Sequence, residues 1–235
     1  MREQMIRTGW GEVRLRAKYA GAATAFFSLA YGATNHLPMS PPQRLPWLPF
    51  ETLIPVVPET FWIYMSAVPM LFVYFFYEED RLRALRYLVS YLSLVLFCAI
   101  VFAFFPTVYP REYYPIQGHV DPVLQLGFNI LRFVDAPSNC FPSLHVAGAV
   151  LAALVSQERR ERVSRWFPLR FSHVMTVWAV AISLSTLTTK QHYLLDVISG
   201  ALSGYLAYQV FFLNMPDLVV QRLVLTQRAQ NDLRE

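Results

Sequence analysis

The chain has 235 residues, 55% of them hydrophobic and only 15% charged, with a mean hydropathy of +0.33. Soluble domains carry about 25% charged residues, so an ordinary water-soluble fold is excluded. The net charge of +4 does not point to nucleic acid, because the basic residues fall between apolar runs and not along one stripe.

Residues 1–18 are polar and basic and lack the apolar stretch of a cleavable signal. Six apolar spans follow, at 19–36, 60–77, 87–107, 142–157, 173–189 and 193–214. They approach the roughly 20 residues that a helix needs to cross a bilayer. The predicted fold is all-α, a polytopic bundle of about six transmembrane helices over residues 19–214. It lies between an N-terminal segment 1–18 and a polar tail 215–235, both expected in the cytoplasm.

The orientation comes from charge. Of the 20 Lys and Arg residues, all but four fall in the segments 1–18, 78–86, 158–172 and 215–235. The other side holds only Arg44, Arg111, Arg132 and Lys190. Cytoplasmic segments are the ones rich in Lys and Arg, so the long loops 38–59 and 108–141 are expected outside the cytoplasm. The expected setting is a plasma (inner) membrane, with anionic inner-leaflet lipid facing the basic side.

Loop 38–59 is proline-rich and too broken to span, yet apolar, with Trp47, Leu48, Phe50, Leu53 and Ile54. It reads as a lid in the headgroup region or as the wall of a lipid entrance. Loop 108–141 holds a predicted short amphipathic helix at 121–133, started by Asp121-Pro122. His119 and Asp135 lie in the same loop without a defined role. The basic loop 158–171 carries Arg159, Arg160, Arg162, Arg165 and Arg170. Cys98 and Cys140 stand at different expected depths, which argues against a bridge, and neither belongs to a metal-ligand pattern.

Two short stretches carry the chemistry: Phe141-Pro-Ser-Leu-His145-Val and Lys190-Gln-His192-Tyr-Leu-Leu-Asp196. His145 and His192 are 47 residues apart, and two spans with one basic loop between them return both to the same surface. Ionisable groups at such places are costly, so a functional site is the default reading. His192 and Asp196, at i and i+4, share one helix face. A carboxylate there can accept a proton from one ring nitrogen and leave the other as a nucleophile. Ser143 can cap a helix whose N-terminus holds an anion, and His145 in its first turn can protonate a leaving oxygen. Lys190 and Arg111 are the best-placed cations for phosphate. Each role has a plainer counterpart: a polar tie between helices, an N-cap, or a headgroup anchor.

Phe-Pro-Ser-Leu-His-Val and His-Tyr-Leu-Leu-Asp resemble the second and third signatures of the type 2 phosphatidic acid phosphatase superfamily. The resemblance covers roughly residues 105–205. It implies a phosphorylated His192, an orienting Asp196, a general acid at His145 and phosphate binding at Ser143, with no metal or cofactor. Three positions depart from the family pattern. Leu144 stands where glycine is usual, and Thr186 stands where an arginine is usual. The first signature is absent, with Phe104 seven residues before Arg111. Ser-Leu-His with Gln-His-Tyr-x-x-Asp resembles the branch of inositol phosphorylceramide synthases. The expected activity is a metal-independent lipid phosphatase acting on a lipid phosphate through a phosphohistidine. The first alternative is a lipid head-group phosphotransferase, and the second is a non-catalytic lipid-binding or transport protein on the same fold.

Overall fold

A computed structural model of the chain describes residues 2–116, 121–134, 138–158, 162–164 and 167–216. His119, Asp135, Arg159, Arg160, Arg165 and the tail from 217 onward lie outside these residues. The helices are α1 (Arg2–His36), α2 (Phe61–Met65), α3 (Ala67–Tyr77), α4 (Arg81–Phe104), α5 (Pro122–Val134), α6 (Leu144–Gln157), α7 (Phe171–Thr188) and α8 (Leu194–Ala207). A π-helical segment, Tyr208–Leu213, extends α8.

Every predicted span is helical, but the lengths differ from the prediction. Four helical stretches are long and apolar enough to cross a membrane: Pro58–Tyr77, Arg81–Phe104, Phe171–Thr188 and Leu194–Leu213. α1 begins at Arg2, well before the predicted start at 19, because the residues ahead of the apolar run include good helix formers such as Arg, Glu and Met. α6 is apolar but has only 14 residues, about 21 Å at the usual helical rise. It can be short because it packs against α3, α4, α7 and α8 at the centre of the bundle. The bundle is all-α, as expected. The basic loop between α6 and α7 contains a small antiparallel hairpin, β1 (Arg162–Ser164) with β2 (Phe167–Arg170). Its strands are too short for a periodic signal to register.

The outward faces invert the pattern of a soluble helix. Phe97, Ile100 and Phe104 on α4, Val177, Val180 and Leu184 on α7, and Ile198, Leu202 and Tyr205 on α8 are exposed at spacings of three or four. The interior holds Met70, Tyr74, Phe75, Tyr87, Leu94, Val95, Leu151, Met175 and Ile182. Asp80 caps α4 by accepting the N–H groups of Leu82 and Arg83 at 2.7 and 3.1 Å. Ser66 separates α2 from α3. Its hydroxyl donates to the Ile63 carbonyl at 2.6 Å and accepts from the Trp178 indole at 2.7 Å, a side-chain intrusion of the kind that bends helices. The predicted helix 121–133 is α5, capped by Asp121. Leu124 and Phe128 bury one side of α5 against Phe61, while Val123, Leu126, Ile130 and Phe133 are exposed, as suits an interfacial helix.

α6 and α8 meet backbone to backbone. A Cβ on Gly200 would stand 2.5 Å from the Ser143 carbonyl oxygen, and one on Gly204 would press against the Ala147 oxygen. This is the small-residue spacing that lets membrane helices approach closely. Gly204→Ala is expected to destabilise the protein by about 1–3 kcal/mol through overpacking. A thermal unfolding midpoint equal to wild type in detergent would show that the helices can part without cost.

Candidate active site

The site forms at the bundle end where the long loops gather. Thr107 anchors them: it bridges Gln43 on one side and Asn139 on the other. Its N–H donates to the Ser138 carbonyl at 3.1 Å, and its hydroxyl accepts the Phe141 N–H at 2.8 Å. The Asn139 amide donates to the Tyr31 carbonyl and the Thr34 hydroxyl of α1 at 3.1 and 3.0 Å. Residues 138–141 are therefore held on two sides before α6 starts. Ser143 caps α6, with its oxygen 3.5 Å from the Val146 N–H, and its own N–H donates to the Asp196 carbonyl at 3.0 Å. The two signature stretches are thus joined through the backbone.

α7 ends in a Schellman turn. The N–H of Lys190 donates to Leu187 O at 3.2 Å and that of Gln191 to Thr186 O at 3.1 Å. The position that glycine usually takes is held by Lys190 at φ 55°, a strain of about 1–2 kcal/mol for a residue with a Cβ. The Thr186 carbonyl also accepts the His192 N–H at 3.3 Å. Thr186 therefore serves the site through its backbone, holding the turn that carries His192.

His192 is buried at 6% exposure and Asp196 at 0%. Nδ1 of His192 lies 3.2 Å from Asp196 Oδ2 and 3.2 Å from the Cys140 carbonyl oxygen. A carbonyl can only accept, so Nδ1 carries a proton, and in the neutral ring the lone pair is then on Nε2. The second-signature backbone thus sets the tautomer together with the carboxylate. Asp196 Oδ2 also accepts the Tyr193 N–H at 2.9 Å. Asp196 Oδ1 and Gln191 Oε1 are buried acceptors with no hydrogen-bond partner among the described residues, an arrangement that folding alone does not favour. His145, in the first turn of α6, lies with its ring centroid 6.0 Å from that of His192 and stacks on Tyr64 at 4.3 Å. The structure brings His145, His192, Asp196 and Ser143 together as the spacing predicted.

The cations converge on one short segment. Lys190 is 4% exposed, and its ammonium donates to the carbonyls of Ile54 and Glu51 at 2.7 and 3.4 Å while lying 4.8 Å from the Tyr114 ring centroid. Burial lowers its pKa below the ordinary lysine value, and the Glu51 carboxylate opposes that shift. Arg111 is buried in the 3-10 turn Arg111–Tyr113, and the Tyr114 N–H donates to its carbonyl at 3.2 Å. Arg132 reaches the Tyr114 carbonyl at 3.4 Å. Its pKa is lowered by burial and by the charge of Arg111. Arg44 pairs with Glu112 at 2.9 Å. All four cations assigned to this side therefore meet at residues 111–114. That segment is fixed to the site by Tyr109, whose ring centroid lies 4.7 Å from that of Tyr193. Burial, and then the nearby Cys140 and Asp196, push the Tyr193 hydroxyl up to about 12, so it stays a donor to the Val108 carbonyl at 3.3 Å.

Sequence reasoning missed Glu51, Tyr64, Arg132 and the Cys140 carbonyl. None of them repeats with a period or belongs to a signature, and only Arg132, as one of four cations on its side, left a trace. Cys98 and Cys140 are both buried, and no disulfide joins them. The Cys140 thiol, a His192 ring nitrogen and an Asp196 oxygen lie within 4.8 Å of one another, close enough to offer ligands to one ion.

The site thus holds a buried imidazole beside a carboxylate, a second imidazole facing it, and cations gathered on the neighbouring segment 111–114. The model of the PAP2 superfamily matches residues 37–210, and the chain belongs to that superfamily. Neither a curated protein nor a solved structure gives a significant match. The family points to phosphatase or phosphotransferase chemistry, and the four apolar stretches agree with an integral membrane protein.

Asp196→Asn keeps an oxygen that can take the Oδ2 position and accept both His192 Nδ1–H and Tyr193 N–H, but it removes the negative charge that stabilises a cationic imidazole. Turnover is expected to fall by about 10²- to 10⁴-fold with KM little changed. Near-normal kcat with reduced thermal stability would reduce the pair to a tie within α8.

Proposed function

We propose that the protein is a membrane lipid phosphatase working through a phosphohistidine. The observation that carries this reading is His192 Nδ1 held between Asp196 and the Cys140 carbonyl, which leaves Nε2 as the nucleophile opposite His145. Nε2 attacks phosphorus, the P–O ester bond breaks, and the departing oxygen takes a proton from His145. His145 then takes a proton from water. The resulting hydroxide oxygen forms the new P–O bond, and the P–N bond returns its electron pair to His192. Asp196 stabilises the imidazolium character that His192 gains on attack. Ser143 and the N-terminus of α6 hold phosphate oxygens, while Arg111, Lys190 and the neighbouring Arg132 offset their charge. No step calls for a metal or cofactor.

A lipid rather than a soluble phosphate is supported by an apolar cavity of about 680 Å³, counting its open mouth, between α1, α3, α4 and α6. His145 stands in its wall with Phe27, Tyr31, Leu71, Tyr91 and Gly148. An alkyl chain lodged there would place its phosphate beside the two histidines. With an alcohol in place of water the same steps make a head-group phosphotransferase. The Ser-Leu-His and Gln-His-Tyr-x-x-Asp stretches favour that as the second reading. The charge distribution supports a site on the extracytoplasmic side.

Brief exposure to labelled lipid phosphate is expected to leave acid-labile label on wild-type protein and none on His192→Ala. Label retained on His192→Ala would remove the nucleophile. Phosphate release should persist in a chelator, and its loss there would place the reaction in a metal-dependent class. A cavity Cβ at Gly148 would meet Tyr91 at 3.6 Å, an ordinary contact. Gly148→Ala should therefore be tolerated, whereas Gly148→Leu should lower kcat/KM about fourfold for each methylene it excludes. Equal activity of Gly148→Leu on long and short chains would take the chain out of this cavity. Leu53, 81% exposed, tests the side: Leu53→Cys should react with an impermeant thiol reagent added outside the cell, against buried native cysteines. Labelling only after permeabilisation would reverse the orientation.

A further inference from the structure

Glu51 stands outside both signatures, in the proline-rich loop, yet it is only 3% exposed. Its two carboxylate oxygens are used separately. Oε2 accepts the Leu48 N–H at 2.7 Å and closes the 3-10 turn Pro49–Leu53. Oε1 accepts the N–H of Leu194, the first residue of α8. The carbonyls of Glu51 and Ile54 take the Lys190 ammonium. Further along, the Val57 N–H donates to Thr188 O at 3.0 Å, and the hydroxyls of Thr60 and Thr188 lie 2.7 Å apart. Residues 48–60 therefore grip the chain on both sides of His192, at Thr188 and Lys190 before it and at Leu194 after it. A buried carboxylate is costly unless its hydrogen bonds are made. A helix N-terminus, with unpaired N–H groups and the positive end of the dipole, is a place where it is stabilised.

We propose that Glu51 is a positioning residue that fixes the N-terminus of α8, and with it the angle at which His192 presents Nε2. Leu194 lies between His192 and Asp196, so a bond to its N–H acts on the segment joining nucleophile and orienting carboxylate. The same carboxylate closes the loop turn whose carbonyls hold Lys190. Docking of residues 48–57 and alignment of His192 are thereby one event. The proposal rests on the reading of His192 as nucleophile, but the placement of its ring can be measured without catalysis.

The variant is Glu51→Gln, which keeps the size but offers one acceptor oxygen to the two N–H groups of Leu48 and Leu194. Misplacement of a reacting group by about 1 Å costs about 10²-fold, so kcat on a short-chain phosphatidic acid should fall about 10- to 100-fold. KM should stay within about threefold, the pattern of an interaction realised in the transition state. The second readout is carbethoxylation of His192 by diethyl pyrocarbonate, followed by mass spectrometry on the folded protein. With the α8 N-terminus loosened, this rate should rise about tenfold as the buried ring opens more often. Glu51→Asp, with two acceptors on a shorter arm, should fall between the two in both measurements, and it carries the comparison if Glu51→Gln does not fold. An unchanged carbethoxylation rate overturns the assignment, whatever the turnover. Faster carbethoxylation in a protein whose wild type hydrolyses no lipid phosphate would uphold the placement and remove the phosphatase reading instead.

Discussion

Gly200 and Gly204 carry no Cβ, and for that reason α8 lies backbone against backbone on α6 near its catalytic end. In the absence of a hydrophobic drive between helices in lipid, such close contact is a main source of association. Here it also sets the geometry of the site. Only at this separation does the Ser143 N–H reach the Asp196 carbonyl, and only then does the Cys140 carbonyl come within 3.2 Å of His192 Nδ1. His145 follows from the same contact, since it sits two residues after the Ser143 cap. A side chain between the helices would separate His145 from His192 before it disturbed either helix.

The second constraint is the cost of polar groups buried at a membrane-facing bundle. Thr107, Asn139, Tyr193 and Glu51 are each buried, and each uses its polar atoms to fix a loop to a helix end. Asp196 Oδ1 and Gln191 Oε1, like Asn139 Oδ1, are buried without hydrogen-bond partners among the described residues, and the first two flank His192. Lys190 holds a left-handed position that glycine would take with less strain, and its ammonium is used there.

The legible parts of this fold were those with a period or a fixed offset. Apolar runs near 20 residues marked the helices, and the i, i+4 spacing put Asp196 on the face of His192. The topology returned His145 to the same end. Helix limits were less legible, because α1 continues into polar residues that favour helix as readily as the apolar ones do. The spacing Gly200-x-x-x-Gly204 was present and is a recognised signal for close helix contact, so it could have been used. Glu51 could not have been found this way. It sits in an irregular loop, and its partners Leu48, Lys190 and Leu194 are set by tertiary contact. The Cys140 carbonyl is a backbone atom and has no signature in any sequence. Tyr64 looked like any other aromatic in an apolar run.

The departures from the family pattern acquire a physical sense in this geometry. Where the pattern has an arginine, Thr186 contributes its carbonyl to the His192 turn. Positive charge on this side comes from Arg111 in its 3-10 turn, Arg132 at the end of α5 and Lys190 in the turn after α7, which meet around Tyr114. Charges carried on loops are in place only when those loops are docked, and the docking bonds run through Lys190 itself. The Lys190 ammonium donates to two loop carbonyls and lies over the Tyr114 ring; on the proposed reading an incoming phosphate oxygen would be a further acceptor for it. Phosphate binding and loop closure would then strengthen each other, because the anion stabilises the charge that burial disfavours. On the proposed mechanism the helices would supply the acid and the nucleophile, and the segments around Tyr114 the charge that offsets a phosphate.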